Sequence, residues 1–179
     1  VPGIYEIDTR ALTKIIREKG TILGRIVYNQ PSSNSYPLFP PIADPNKRNL
    51  VAEVSRVSIQ KSMKTFNVNG SPRICVVDCG LKYNQIRCFL KRGARVDVVP
   101  WNHDLVKAEY DGLFLSNGPG DPDMCKVTVE NISKVLRQKN KKPIFGICMG
   151  HQLLSIAAGS SSYKMEYVIF RYGNRGHNQ

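Results

Sequence analysis

The stretch Pro143-Ile144-Phe145-Gly146-Ile147-Cys148-Met149-Gly150-His151-Gln152 leaves this chain few ways to fold. Residues 143 to 147 are apolar and follow Asn140-Lys141-Lys142, which predicts a buried parallel strand; a helix that short would not stand alone. Gln152 to Ala158 then reads as helix, with Gly159 to end it. Cys148 falls on the turn between them. Gly146 and Gly150 lie two residues before and two after it, the spacing of a nucleophile elbow, where the central residue is strained and only hydrogen side chains fit where the chain folds back. A thiol at a helix N-terminus has its thiolate favoured by the dipole and by unpaired backbone N–H groups, which is a nucleophile's environment. Most cysteines near strand ends are small buried hydrophobes, and Cys75, Cys79, Cys88 and Cys125 read as that or as plain surface residues. The glycine bracket sets Cys148 apart.

Upstream of the elbow the pattern is regular. Strands are predicted at Arg73 to Asp78, Arg95 to Pro100, Asp111 to Ser116 and Pro143 to Ile147, with helices at Tyr83 to Arg92, Asp123 to Gln138 and Met149 to Ala158. Alternation of this kind means an α/β fold: a parallel sheet with helices on both faces and ligands outside the carboxyl ends of the strands. One such end is the Cys148 elbow. Another is Ser116-Asn117-Gly118-Pro119-Gly120-Asp121-Pro122, whose glycines and prolines give a rigid path with exposed backbone donors suited to an anion or oxyanion. The plainer reading of that loop is a tight strand-to-helix connection with Pro122 starting the helix.

Before this region the signals are sparser. Thr9 to Lys19 carries Leu12, Ile15 and Ile16 on one face, with Asp8 as N-cap and Gly20 past the end, and predicts an amphipathic helix. Ile22 to Tyr28 reads as a strand, a proline-rich stretch from Pro31 to Pro45 follows, and short strands are expected in Leu50 to Val57. Asn67-Val68-Asn69-Gly70-Ser71-Pro72 is turn chemistry and predicts a domain boundary.

Composition narrows the class. Five cysteines without a C-x-x-C pair fit a reducing compartment and speak against a disulfide framework or a zinc site. No charged-then-apolar leader and no apolar run of membrane-spanning length occurs, so neither secretion nor a bilayer is expected. The chain opens on Val1 without a methionine, which predicts a piece of something longer. The net charge of +12 raises nucleic-acid binding, but the excess is spread: ten basic and five acidic residues up to Gly70, sixteen and nine after it. Its densest knots, Lys91-Arg92 with Arg95 and Lys139 with Lys141-Lys142, fall at predicted helix ends, so they read as a solvated face or as a surface meeting an acidic partner.

The two loops together, Leu115 to Pro122 and Gly146 to Gln152, resemble the triad-type, class I glutamine amidotransferases. Asp78-Cys79-Gly80-Leu81-Lys82-Tyr83-Asn84-Gln85-Ile86-Arg87 and Ile7-Asp8-Thr9-Arg10-Ala11-Leu12-Thr13 narrow the resemblance to the small subunit, or glutaminase domain, of carbamoyl phosphate synthetase. Within that family it resembles the animal multifunctional form that also carries aspartate carbamoyltransferase and dihydroorotase. The resemblance implies a flavodoxin-like parallel sheet, C-terminally truncated and preceded by part of a small α+β domain. Residues 1–70 would be the C-terminal part of the small subunit's N-terminal domain, and 71–179 the first half of the amidotransferase domain. It implies a reaction in which Cys148 attacks the glutamine side-chain amide, ammonia leaves, and water hydrolyses the glutamyl thioester. The backbone N–H groups of Met149 and Gly118 would form the oxyanion hole, while Gly118, Gly120, Met149 and Gln152 would hold glutamine. No metal or cofactor is implied here, since ATP, bicarbonate and magnesium belong to the synthetase component. That component, a large subunit or a domain of the same polypeptide, is the implied partner, without nucleic acid or membrane. The compartment is cytoplasmic, or mitochondrial for the ammonia-dependent relatives. Asp78, Lys82 and Asn84 read as a strand-end cap and a solvated helix start.

The departures carry equal weight. The family's base is a histidine in a His-Pro-Glu segment downstream, and this chain stops at Gln179 without reaching it, so residues 1–179 alone are expected not to turn over glutamine. His151 reads as a packed or capping residue, His103 as a loop residue, and His177 as part of a strand and turn. Glu166-Tyr167-Val168-Ile169-Phe170 interrupts the usual run into Arg171-Tyr172-Gly173 and, being odd in length, would swap strand faces unless a bulge absorbs one residue. Two other classes fit parts of the sequence: a non-catalytic scaffold as in the ammonia-dependent relatives, which lack the cysteine, and a basic nucleic-acid-binding module.

Overall fold

The computed structural model describes residues 3–20, 22–26, 40–55 and 63–163. These group into two compact units, one of residues 3–20, 22–26, 40–43 and 163, the other of residues 44–55 and 63–162.

The first unit contains helix α1 (Thr9–Lys19). Asp8 caps it, its carboxylate accepting from the Ala11 N–H at 2.8 Å, and Gly20 ends it at a φ of 72°. Leu12, Ile15 and Ile16 form the expected stripe, yet none of the helix is buried. Residues 22–26 hold no regular structure, which corrects the strand expected at Ile22 to Tyr28; residues 27 and 28 lie outside the described residues.

The second unit is a five-stranded sheet in the order β1-β3-β2-β4-β5, formed by β1 (Lys64–Phe66), β2 (Arg73–Asp78), β3 (Arg95–Pro100), β4 (Gly112–Leu115) and β5 (Ile144–Gly146). β3, β2, β4 and β5 run parallel, as the alternation predicted, and β1 adds an antiparallel edge strand that the sequence reading missed. Chain order reverses direction across the sheet between β2 and β4, which is where a doubly wound sheet opens a crevice. Helices α3 (Tyr83–Leu90), α4 (Lys126–Leu136) and α5 (Met149–Ala157) connect the strands or follow them. A short 3-10 turn at Pro122–Met124 replaces the start expected for α4. No helix among the described residues is long and apolar enough to cross a membrane.

Period-two alternation divides the strand side chains between two cores. On one face Cys75, Val77, Val99, Leu113 and Leu115 pack with Ile132 and Val135 of α4 and with Met149 and Leu153 of α5. On the other, Val76, Val96, Val98 and Phe114 pack with Ile86 of α3, and Phe89 meets Phe114 edge to face at 5.0 Å. Each fully buried Val, Leu or Ile contributes roughly 1.5–3 kcal/mol, so these two layers, rather than local propensity, hold the short strands in place.

Leu50 to Val54 is helix α2, not the strand expected there; residues 56 and 57 lie outside the described residues. β-branched side chains at Val51 and Val54 suggested extension, but the Asn49 side chain caps the segment and Val51, 1% exposed, is drawn into the α4/α5 core.

Candidate active site

The site is built where β4 and β5 end. β5 pairs with β4 in parallel, Leu115 opposite Gly146, and the Ile147 N–H continues the ladder onto the Leu115 carbonyl at 3.0 Å. At Cys148 the backbone turns to φ 53° and ψ −111°, a conformation costing a non-glycine residue about 1–3 kcal/mol, and α5 starts at the next residue. What permits the turn is space at the flanking glycines rather than their dihedral freedom. A Cβ on Gly146 would come within 2.5 Å of the Gly150 carbonyl, and one on Gly150 would run into the Leu115 carbonyl. With nothing in the way, the Gly150 N–H reaches the carbonyls of both Ser116 and Ile147 at 3.0 Å. That bond ties the start of α5 to the first residue of the loop after β4.

Cys148 is exposed, whereas Cys75, Cys79 and Cys125 are buried. Burial pushes the Cys75 thiol up to about 12, aided by the charge of Asp97, and the Cys125 thiol to about 11, aided by Asp121. It raises Cys79 as well, with Cys125 and Asp78 adding to the effect. These three are protonated core side chains. Cys88 is exposed on α3.

The loop after β4 is fastened to the loop after β2. The buried Ser116 hydroxyl accepts from the Cys79 N–H and donates to the Asn117 carbonyl, both at 2.9 Å. Asn117 donates through Nδ2 to the Gly80 carbonyl at 3.1 Å and accepts through Oδ1 from the Lys82 N–H at 3.3 Å. The Asp78 carboxylate closes its own strand end by accepting from the N–H groups of Gly80 and Leu81 at 2.9 Å each. Gly118 lies so close to the Cys79 carbonyl that a side chain could not be added. Gly120 takes a φ of 83° beside Leu50 of α2. A pocket of about 480 Å³ opens at the switch point between β2 and β4, lined by Val54, Gly80, Leu81, Asn117, Gly118 and Pro119.

Among the described residues the backbone N–H groups of Met149 and Gly118 have no acceptor. Met149 itself is buried, its side chain packed in the core with Leu115 and Leu153. An exposed, strained thiol at the start of a nine-residue helix, with unpaired donors on it and on the neighbouring loop, is equipped to add to a carbonyl carbon and hold the charge that forms on its oxygen.

The family described as glutamine amidotransferase class-I matches residues 75–179. The chain belongs to that family. It is 52% identical over its full length to the multifunctional protein CAD of Squalus acanthias, of which it covers 7%. It is 48% identical to the multifunctional protein pyr-3 of Neurospora crassa over 99% of the chain and 10% of that protein. Over its full length it is also 46% identical to the mouse mitochondrial carbamoyl-phosphate synthase [ammonia], covering 11% of it. The chain thus spans about a tenth or less of these relatives' lengths.

The remaining residues singled out in this amidotransferase-family sequence are dispersed. Gln152 is exposed one turn along α5, its N–H bonded to the Cys148 carbonyl at 3.0 Å. His151 is exposed beside it, its carbonyl accepting from the Ser155 hydroxyl. His103 sits in the loop after β3, where its carbonyl accepts from Asn131 of α4 at 2.8 Å. His177 and Glu166 to Phe170 lie outside the described residues. Among the described residues no group of three or more His, Cys, Asp or Glu stands together to hold a metal ion. The residues that sequence reasoning missed are Asn49, Leu50 and Val54, which border the loop from an element far upstream. An asparagine three residues before Ala52 was the available helix-start signal.

Proposed function

We propose that this chain is part of the glutamine-hydrolysing component of a carbamoyl phosphate synthetase of pyrimidine synthesis. The observation that carries the reading is Cys148: exposed, held at φ 53° between β5 and α5, and accompanied by N–H groups of Met149 and Gly118 that have no acceptor among the described residues. The thiolate adds to the side-chain amide carbon of glutamine, and the two N–H groups stabilise the resulting oxyanion. Collapse of that intermediate breaks the carbon–nitrogen bond, the nitrogen takes up a proton and leaves as ammonia, and water cleaves the thioester to glutamate. Gly120 and Gln152 flank this centre along the loop and the helix and contribute to holding the substrate.

The relatives support the wider assignment, since the names they carry include carbamoyl-phosphate synthase and multifunctional protein CAD. On this reading residues 1–70 end the small subunit's N-terminal domain and residues 71–179 begin the amidotransferase domain. The ammonia passes to a synthetase component that uses ATP and bicarbonate and is fused in the same polypeptide. The compartment is cytoplasmic for the fused form and mitochondrial for an ammonia-dependent one. A scaffold without glutaminase chemistry is favoured by the ammonia in the mouse relative's name and opposed by Cys148 and Gln152.

The deciding experiment uses the full-length protein containing this chain. Cys148→Ser is expected to lower glutamine-dependent carbamoyl phosphate formation by roughly a thousandfold or more while ammonia-dependent formation persists. Equal loss of both activities, or retention of the first, overturns the reading.

A further inference from the structure

We propose that helix α2 is a wall of the substrate site and that Asn49 is a positioning residue setting how firmly the Gly118–Gly120 loop grips glutamine. The inference rests on the glutaminase reading of that loop. Five residues cannot hold a helix in water by themselves, so α2 exists because of what it is attached to. Besides the exposed Arg48–Glu53 ion pair, it has attachments that lead to the site. Asn49 Oδ1 accepts from the Ala52 N–H at 3.0 Å, which starts the helix, while Nδ2 of the same side chain donates to the Met124 carbonyl at 3.0 Å. The Cys125 thiol stands 3.9 Å from Oδ1. Leu50 lies against Gly120, where an added Cβ would be 3.3 Å from the leucine Cβ. Val51 is buried in one core with Leu115, Cys125 and Met149. Val54 lines the 480 Å³ pocket and stands where a Cβ on Gly80 would be 2.9 Å from its methyl.

These contacts give the loop a second anchor. Its near end, Ser116 and Asn117, is bonded to the loop after β2. Its far end, Met124, is bonded to Asn49. Gly118 lies next to the near anchor, whereas Gly120 lies against Leu50 on the side of the far one. Loosening the far anchor therefore disturbs the substrate-holding part of the loop more than the oxyanion donor. Asn49 also precedes the matched residues 75–179, so this wall lies outside the segment shared across the family.

The test is Asn49→Ser in the full-length protein. Serine keeps the helix cap but is too short to reach the Met124 carbonyl, so cap and anchor are separated. Loss of one such hydrogen bond is expected to raise KM for glutamine about three- to tenfold. The turnover number at saturation and the ammonia-dependent activity should stay within twofold, and the melting temperature should hold. Amide hydrogen exchange over residues 118–124 should quicken in step. An unchanged KM with unchanged exchange overturns the proposal, and so does a fall in the turnover number without a change in KM. A parent protein that turns over no glutamine overturns the functional reading instead. Exchange over residues 118–124 in Asn49→Ser then decides the anchor alone.

Discussion

At the N-terminal ends of β2 and β3 charged groups satisfy one another, while at the C-terminal ends of β4 and β5 backbone donors are left without acceptors among the described residues. Asp97, 2% exposed, accepts from Thr65 at 2.6 Å and pairs with Arg73 and Arg95, and Arg73 reaches on to Glu109 at 3.1 Å. That cluster joins three strands, including the edge strand β1. The opposite end holds a residue at positive φ and N–H groups of Met149 and Gly118 that have no acceptor among the described residues. One end is self-consistent and the other is not. A binding site must keep groups unsatisfied for its ligand, and it can do so only where the surrounding fold already enforces the conformation. Changes at the first end should therefore alter stability, and changes at the second should alter reactivity.

The largest expected contrast is among the thiols. Burial that lifts Cys75 to about 12 leaves its thiolate roughly a thousandfold scarcer than that of an ordinary exposed thiol. Limited alkylation at neutral pH with mass mapping should label Cys148 first, then Cys88, with Cys75, Cys79 and Cys125 untouched until the protein is unfolded. Labelling Cys148 only as slowly as Cys75 would mean that the elbow is closed to reagents.

Much of the self-consistent architecture was legible in the sequence, because local and tertiary demands agree there. The bounds of β2 and β3 coincide with the predicted ones, since each is a strongly patterned run bounded by turn residues, and those of α1 do so on local signals alone, since none of that helix is buried. The elbow was equally plain, because three closely spaced positions, Gly146, Cys148 and Gly150, have steric requirements that few residues meet. What escaped was decided at a distance. β1 is three residues long and held to β3 partly by Thr65 on Asp97, a contact that no local pattern announces. α2 carries the β-branched residues of a strand and is helical because Asn49 and Val51 are engaged by the site loops and the core. The family resemblance implies Gly118 as an oxyanion donor, but the reason it must be glycine, the carbonyl of Cys79, comes from the loop after β2.

Removing the centre of the stable end should cost less than the thiol contrast but still a large share of the folding free energy. Burial alone would raise Asp97, yet hydrogen bonds from Thr65, Arg73 and Arg95 outweigh it and hold the carboxyl below the usual carboxylate range. Asp97→Ala should lower stability by about 3 kcal/mol, since it takes the buried carboxylate from Arg95 and leaves Arg73 only the exposed Glu109. The sign with pH follows from the lowered folded value: the contribution is complete above about pH 5 and shrinks as acid is added below about pH 4. Urea unfolding at pH 7 and pH 3 should therefore separate parent and variant widely at the first pH and less at the second. Alkylation of Cys148 in the folded variant should proceed at the parent rate. A slowed Cys148 would show that the two ends are coupled through β2 and β4.

The smallest effect probes the same separation where it is most exposed to failure. Lys142 immediately precedes the Pro143-Ile144 start of the strand that carries the elbow, and its ammonium lies 4.7 Å from the ring centroid of the buried Tyr110. Tyr110 is kept neutral by its burial, with the neighbouring Cys75 adding to the upward shift of its phenol, so the ring offers its face rather than a charge. A cation on an exposed stem over such a ring contributes about 0.5–1 kcal/mol, so Lys142→Ala should lower the unfolding free energy by that amount and Lys142→Arg should restore it. β5 is only three residues long and, among the described residues, has β4 as its one strand partner. Any loosening at its start would reach Cys148 more directly than a change elsewhere in the sheet. Parent-like alkylation of Cys148 in Lys142→Ala would thus be the strictest support for a reactive end insulated from the stabilising one. A shift in that rate larger than the stability loss accounts for would place the insulation elsewhere, in the bond between Gly150 and Ser116 that fastens α5 to the loop after β4.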